Sequence, residues 1–184
     1  MSAKPNAFNM AQSAIYTHAQ AFSPYWGEAR QSAQGVVHFS RLPAGLKTLQ
    51  IKPGFTKRWM GGTCAMNILF SHPVAETSQS RITFKGARGG VFVGKTNDDL
   101  AARVSAALEV DRKLKNTLLA IDLDSLVIEF NDGVVTCTLT PYGGGMAYLV
   151  MPPIRTPIPL PAEQILPLTQ ALETISQHIV RCQH

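Results

Sequence analysis

Between Arg30 and Lys95 the chain carries a single acidic residue, Glu76, against ten Lys/Arg. From Thr96 onward the balance reverses, with six Lys/Arg against ten acids, so the net charge of +5 conceals a one-sided distribution. A region so short of acids either forms a solvated basic surface or meets an anionic partner. Other shortages exclude whole classes. No apolar run approaches the roughly 20 residues a membrane helix needs. The stretch to Met10 carries Lys4 but lacks the apolar core of a secretory signal. Cys64, Cys137 and Cys182 are too few and too widely spaced for a disulfide framework or a Cys-x-x-Cys metal site. His18, His38, His72, His178 and His184 are scattered, none beside a carboxylate or cysteine at ligand spacing, and no Gly-x-Ser-x-Gly elbow is present. Asp122 and Asp124 form a nearby carboxylate pair, best read as a solvated loop entry. These absences predict a cytoplasmic chain with no metal, no cofactor and no named nucleophile or base.

What is present is an ordinary globular composition: 184 residues, 45% hydrophobic and 16% charged. The clearest stretch runs from Asp124 to Cys182. Leu126 to Phe130 is a strand, Asp132-Gly133 suits a two-residue hairpin turn that needs φ > 0 twice, and Val134 to Thr140 returns. Gly143-Gly144-Gly145 reverses the chain into a strand from Met146 to Met151. Pro157, Pro159 and Pro161 then alternate with Ile158 and Leu160, which predicts an edge strand protected against further pairing. Ile165, Leu168, Leu172, Ile175 and Ile179 form the stripe of a final helix, with Pro167 near its start.

Upstream, Asn9 to Phe22 has helical spacing that Ser23-Pro24 would end. Gly45 to Lys52 reads as a short strand turned by Pro53-Gly54, and Gly61-Gly62 as a second turn. Thr63 to Phe70 is a strand with Cys64, Met66, Ile68 and Phe70 on one face. Arg81 to Lys85 alternates, with Arg81, Thr83 and Lys85 outward, and Val91-Phe92-Val93 is a further strand. Thr96 or Asn97 would cap a helix with the stripe Leu100, Val104 and Leu108, and Asp111 a second one ending near Leu119.

Two runs of strands, each followed by a helix, predict an α+β fold. The expected form is a curved antiparallel sheet with helices packed on one face, built from two β-meander/helix halves. Residues 1–35 are expected to be a helical and loop extension, and 36–184 a single domain with halves at about 36–120 and 121–184.

The hairpin Leu126 to Leu139, Tyr142-Gly143, Met151-Pro152, Arg155 and the Ile158-x-Leu160 entry to the last helix resemble an uncharacterised bacterial family, the domain of unknown function 3156 family. The resemblance covers Leu114 to Leu160, about a quarter of the chain, with looser similarity upstream. Where that family tends to carry a basic residue before Met-Pro this chain has Val150, and where it tends to carry an aromatic before the arginine this chain has Ile154. Arg155 alone carries over. Because the family has no assigned activity, the resemblance implies fold boundaries and no chemistry.

Two constellations remain. Gly89 to Thr96 satisfies G-x-x-x-x-G-K-[ST], in which Lys95 would reach terminal phosphates and Thr96 a magnesium ion, with Asp122 after an apolar run as the partner carboxylate. Bulky Val91-Phe92-Val93 and a hairpin-rich chain argue against it, since that loop belongs between a parallel strand and a helix. The second is cationic. Lys52, Lys57, Arg58, Arg81, Lys85, Arg88 and Lys95 fall on strands and turns of the first half, with Phe55 and Trp59 among them and Arg155 added by the resemblance. Cations beside aromatics can hold phosphates while bases stack. The leading expectation is a non-catalytic binding module for nucleic acid, another polyanion, or an acidic protein or lipid surface. A P-loop-like nucleotide-binding enzyme and a carrier of a small apolar ligand are the alternatives.

Overall fold

The apolar alternation at residues 64–70 builds the longest strand among those described. In the computed structural model, which describes residues 7–43, 45–75 and 79–183, α1 spans Ala7–Ala19 and α2 Ser23–Trp26, joined by a 3-10 turn. β1 (Ala29–Gln31), β2 (Val37–Phe39), β3 (Thr48–Arg58), β4 (Gly61–Pro73), β5 (Ser80–Lys85) and β6 (Val91–Lys95) follow. Then come α3 (Asp99–Val110), α4 (Arg112–Ala120), β7 (Leu123–Asn131), β8 (Val134–Pro141), β9 (Gly145–Leu149), β10 (Arg155–Ile158) and α5 (Ile165–Cys182). This is an α+β fold on one open antiparallel sheet, ordered β1-β2-β3-β4-β8-β7-β5-β6.

The sheet forks at β4. One side of β4 pairs with β3 from Arg58↔Gly61 to Thr48↔Ser71. The other side is shared: Ile68 to Pro73 pair with β8, and Gly61 to Cys64 with β9, which in turn carries β10. Asn67 sits in the gap, where its Oδ1 accepts a hydrogen bond from Thr140 Oγ1 at 2.9 Å. The β7–β8 hairpin lies between β4 and β5, so strands from the two parts of the chain interleave. Its turn has Asp132 at φ 47° and Gly133 at φ 74°, as the Asp-Gly pair predicts.

The helices lie on one face. Phe8 of α1 stacks on Phe55 with centroids 4.8 Å apart, and Ser176 of α5 bonds His72. Cys64, Met66, Ile68, Phe70, Ile128 and Leu139 from the sheet meet Ile15, Val104, Leu108, Leu172 and Ile175 from the helices in one continuous buried cluster. α3 and α4 are locked at their junction. The Glu109 carboxylate accepts the Phe92 N–H and pairs with Lys115, while Asp111 caps α4 through the Leu114 N–H and faces His178 of α5 at 2.8 Å. No helix among the described residues is long and apolar enough to cross a membrane.

Four local expectations change. Pro53-Gly54 does not turn the chain but lies inside β3; beyond Ile51 the outer side of β3 has no ladder partner, so a missing N–H costs nothing there. Gly61-Gly62 begins β4 rather than forming a turn, and Trp59-Met60 reverses the chain instead. Ser23-Pro24 does not end the helical run: Pro24 sits in the first turn of α2, where its lost donor has no intrahelical use, and Gly27 at φ 74° ends the run. Asp98, not Thr96 or Asn97, caps α3, its Oδ1 accepting from Ala101 N–H.

Ile68→Ala removes a fully buried side chain where β3, β4 and β8 meet. It should lower unfolding free energy by about 2–5 kcal/mol, read as a shifted urea midpoint. Leu69→Ala, one residue on and facing the other way, should cost clearly less.

Candidate polyanion-binding face

The strict alternation that buries one side of each strand sends the intervening residues to a sheet face that carries no helix. Ladder register orders these residues into rows. One row runs Thr48, Ser71, Thr136, Glu129, Arg81, Lys95 from β3 to β6. The next runs Gln50, Leu69, Thr138, Val127, Thr83, Val93. In the third, Lys52 pairs with Asn67, Thr140 with Ser125, and Lys85 with Val91. The centre of the face is thus hydroxyl- and amide-bearing, and its cations stand at the margins. At about 4.8 Å per strand, Lys52 and Lys85 are separated by about 19 Å.

Lys52, Arg58, Arg81, Lys85 and Lys95 all belong to this face. Arg81 and Lys95 are directly opposed across β5 and β6, a like-charge pairing that works against the isolated sheet. Glu129 offsets part of it from β7, with 3.6 Å between Arg81 Nη1 and its Oε1. Both partners are more than half exposed, so the pair contributes at most about 1 kcal/mol.

Lys57 and Arg155 lie on the helix side of the sheet, in a row with Gly62 and Tyr148. Arg155 Nη1 donates to Met10 Sδ of α1 at 2.8 Å. The side chain of Arg88 is outside the described residues. The aromatics also separate from the cations. Phe55 stacks under Phe8 on the helix side, and Trp59 stands at the β3–β4 turn with 93% of its surface exposed. The basic-aromatic platform expected from adjacency in sequence is therefore not assembled, because β4, β8 and β7 stand between β3 and β5.

The Walker-like pattern takes a different shape from a phosphate loop. Val91 to Lys95 is a strand paired along its length with β5, so its backbone does not curl into a cradle. The following helix starts at Asp99, where the Asp98 carboxylate already takes the Ala101 N–H that an anion would use.

Among the described residues, no group of three His, Cys, Asp or Glu could hold a metal ion. All three cysteines are unpaired thiols. Burial pushes the Cys64 thiol up to about 11 and raises Cys137 and Cys182 as well, away from thiolate chemistry at neutral pH. His72 and Ser176 are 2.7 Å apart, yet at 1% and 0% exposure neither can reach a substrate. The Ser176 hydroxyl donates to the Gly45 carbonyl at 3.1 Å, so it must accept from His72 Nε2–H. A catalytic serine has the opposite polarity, giving its proton to the imidazole. The pair is a structural tie between β4 and α5.

These features define a class: an α+β domain with one sheet face packed under helices and the other uncovered. The chain belongs to the DUF3156 family, described as a protein of unknown function, whose model matches residues 20–179. The match is far wider than the segment that carries the resemblance in sequence. No curated protein and no solved structure matches the chain significantly.

Burial, with the Lys47 charge nearby, holds the His72 imidazole below its usual value of 6.5. Below that pH the unfolded chain takes up a proton that the folded ring refuses, so stability should fall as pH drops below about 6.5. In His72→Gln, which keeps a donor for Ser176, urea midpoints should depend less steeply on pH in that window. An unchanged slope would assign the titration to another group.

Proposed function

We propose that this protein is a non-catalytic, cytoplasmic binding module that engages an anionic partner through the uncovered face of its sheet. A phosphate chain such as single-stranded nucleic acid is the first partner to consider and an acidic protein surface the second. The observation that carries this reading is the opposed Arg81–Lys95 pair on a face whose described strand residues include six cations, with Arg30 of β1 in the row of Gln50, and the acid Glu129. A bound anion relieves a repulsion that the fold itself leaves in place. Threonine, serine and asparagine side chains between the margins supply neutral donors of the kind that position phosphates. With no aromatic in the three central rows of that face, contacts to phosphates or carboxylates are favoured over base stacking, and base preference should be weak. The three unpaired thiols agree with a reducing compartment.

The alternatives have less support. A nucleotide-binding enzyme would need Lys95 in a phosphate loop, whereas it ends a paired strand. For the carrier, the depressions that border the helices, about 890 Å³ beside Pro73, Asp99 and Arg103 and about 680 Å³ beside Lys85, Leu118 and Asp124, open to solvent and carry charged residues, unlike an enclosed apolar cavity.

Anisotropy of a fluorescent single-stranded oligonucleotide across a salt series tests the reading. The logarithm of the binding constant should fall linearly with the logarithm of salt. Combining Arg81→Glu with Lys95→Glu should weaken binding at low salt and reduce the slope by about 1.4, the loss of two phosphate contacts. Absence of binding at low salt to the oligonucleotide and to an acidic peptide would sink the proposal. Magnesium-nucleotide binding abolished by Lys95→Ala would put the enzyme reading in its place.

A further inference from the structure

Two hairpin ends project together from the fork side of the sheet. The β3–β4 turn carries Trp59 and Met60, and the β9–β10 turn carries Val150 and Met151. They are tied to each other: Val150 N–H donates to the Met60 carbonyl at 2.9 Å, and Gly61 pairs with Leu149. Trp59, Met151 and Val150 are 93%, 75% and 63% exposed, so adjacent tips hold large apolar side chains in water. A contiguous patch of this kind marks an interaction site.

Charge surrounds the tips on both sides. Lys57 and Arg155 share the row of Gly62 and Tyr148 on the helix side, and Arg58 shares the row of Gly61 and Leu149 on the uncovered side. Residues 55–61 and 148–157 contain no Asp or Glu. Arg58 sits one residue, and Lys57 and Arg155 two residues, behind the apolar end, or roughly 3–7 Å of strand. A protein groove would meet one side of such a wedge, whereas a plane of anionic headgroups meets both sides at once.

We infer that the paired tips anchor the protein to an anionic lipid surface. Trp59, Met60, Val150 and Met151 enter the boundary between headgroups and acyl chains, where tryptophan is favoured, and Lys57, Arg58 and Arg155 bind the headgroups. This goes beyond the role of the uncovered face. Arg81 and Lys95 lie in the row of Thr48, ten residues along β3 from Arg58 or about 34 Å, and remain available to another partner.

The chain has two tryptophans, and Trp26 is fully buried against Phe22 at 4.4 Å, so a change in emission on binding reports Trp59. With vesicles of phosphatidylcholine and phosphatidylserine the emission should shift to the blue and the protein should float with the lipid. Affinity should be about a hundredfold above that for phosphatidylcholine alone, given three cations at the surface. Flotation should be lost when Trp59→Ser is combined with Met151→Ser, exposed changes whose fold circular dichroism checks. It should persist in the Arg81→Glu, Lys95→Glu protein. No shift with either vesicle, or equal affinity for both, would overturn the inference. So would a blue shift without lipid that grows with protein concentration, which would make the tips an interface between copies of this chain. Flotation lost only in the Arg81→Glu, Lys95→Glu protein would transfer lipid recognition to the uncovered face and leave the tips without this role.

Discussion

The double pairing of β4 is the constraint on which the other elements depend. Of its thirteen residues, Gly61 to Ser71 pair with β3 along one side, while the other side is divided between β8 and β9. Because side chains alternate strictly, this one strand sets the facing of both branches. Cys64, Met66, Ile68, Phe70 and His72 turn to the helices, and a shift of one residue would expose all of them. The divided edge also explains Asn67. At the gap between β8 and β9 a ladder bond is missing, and the amide of Asn67 meets the Thr140 hydroxyl there.

The same constraint makes the molecule two-sided. Helices α1, α3, α4 and α5 cover one face, and the other presents hydroxyls, amides, aliphatic Leu69, Val127 and Val93, the Glu129 carboxylate, and cations at its margins. The helix-covered side holds the three cysteines and the His72–Ser176 pair. Its thiols are raised by burial, and its imidazole–hydroxyl pair points its protons the wrong way for catalysis. The surface presents an uncovered face with opposed Arg81 and Lys95, and apolar hairpin tips flanked by Lys57, Arg58 and Arg155. The two are far enough apart along β3 to act separately.

Much of the fold is legible residue by residue. The 64–70 alternation, the Asp132-Gly133 turn, the Asp111 cap and the stripe of α5 each rest on local chemistry that tertiary context did not override. The misread positions share a cause. Pro53-Gly54 and Gly61-Gly62 carry turn composition, yet both lie in long strands, because whether a proline or glycine ends a strand depends on what pairs beside it. The candidate site was legible only in part. That Arg81, Thr83 and Lys85 share a face follows from period two, but which strand would lie beside them does not.

Composition and periodicity by themselves determined the α+β class, the buried face of each long strand, the lack of metal or thiol motifs and the basic bias of residues 30–95. These are local or additive properties, set by rotamer, turn and burial preferences a few residues apart. Only the tertiary structure decided that β7 and β8 enter between β4 and β5, parting Lys52 from Lys85, and that Phe55 and Trp59 go to different places. It alone brought Val150 beside Met60, ninety positions apart in the chain. Strand order is chosen by the whole core when it closes, through contacts between distant residues, and no short window of sequence contains that choice.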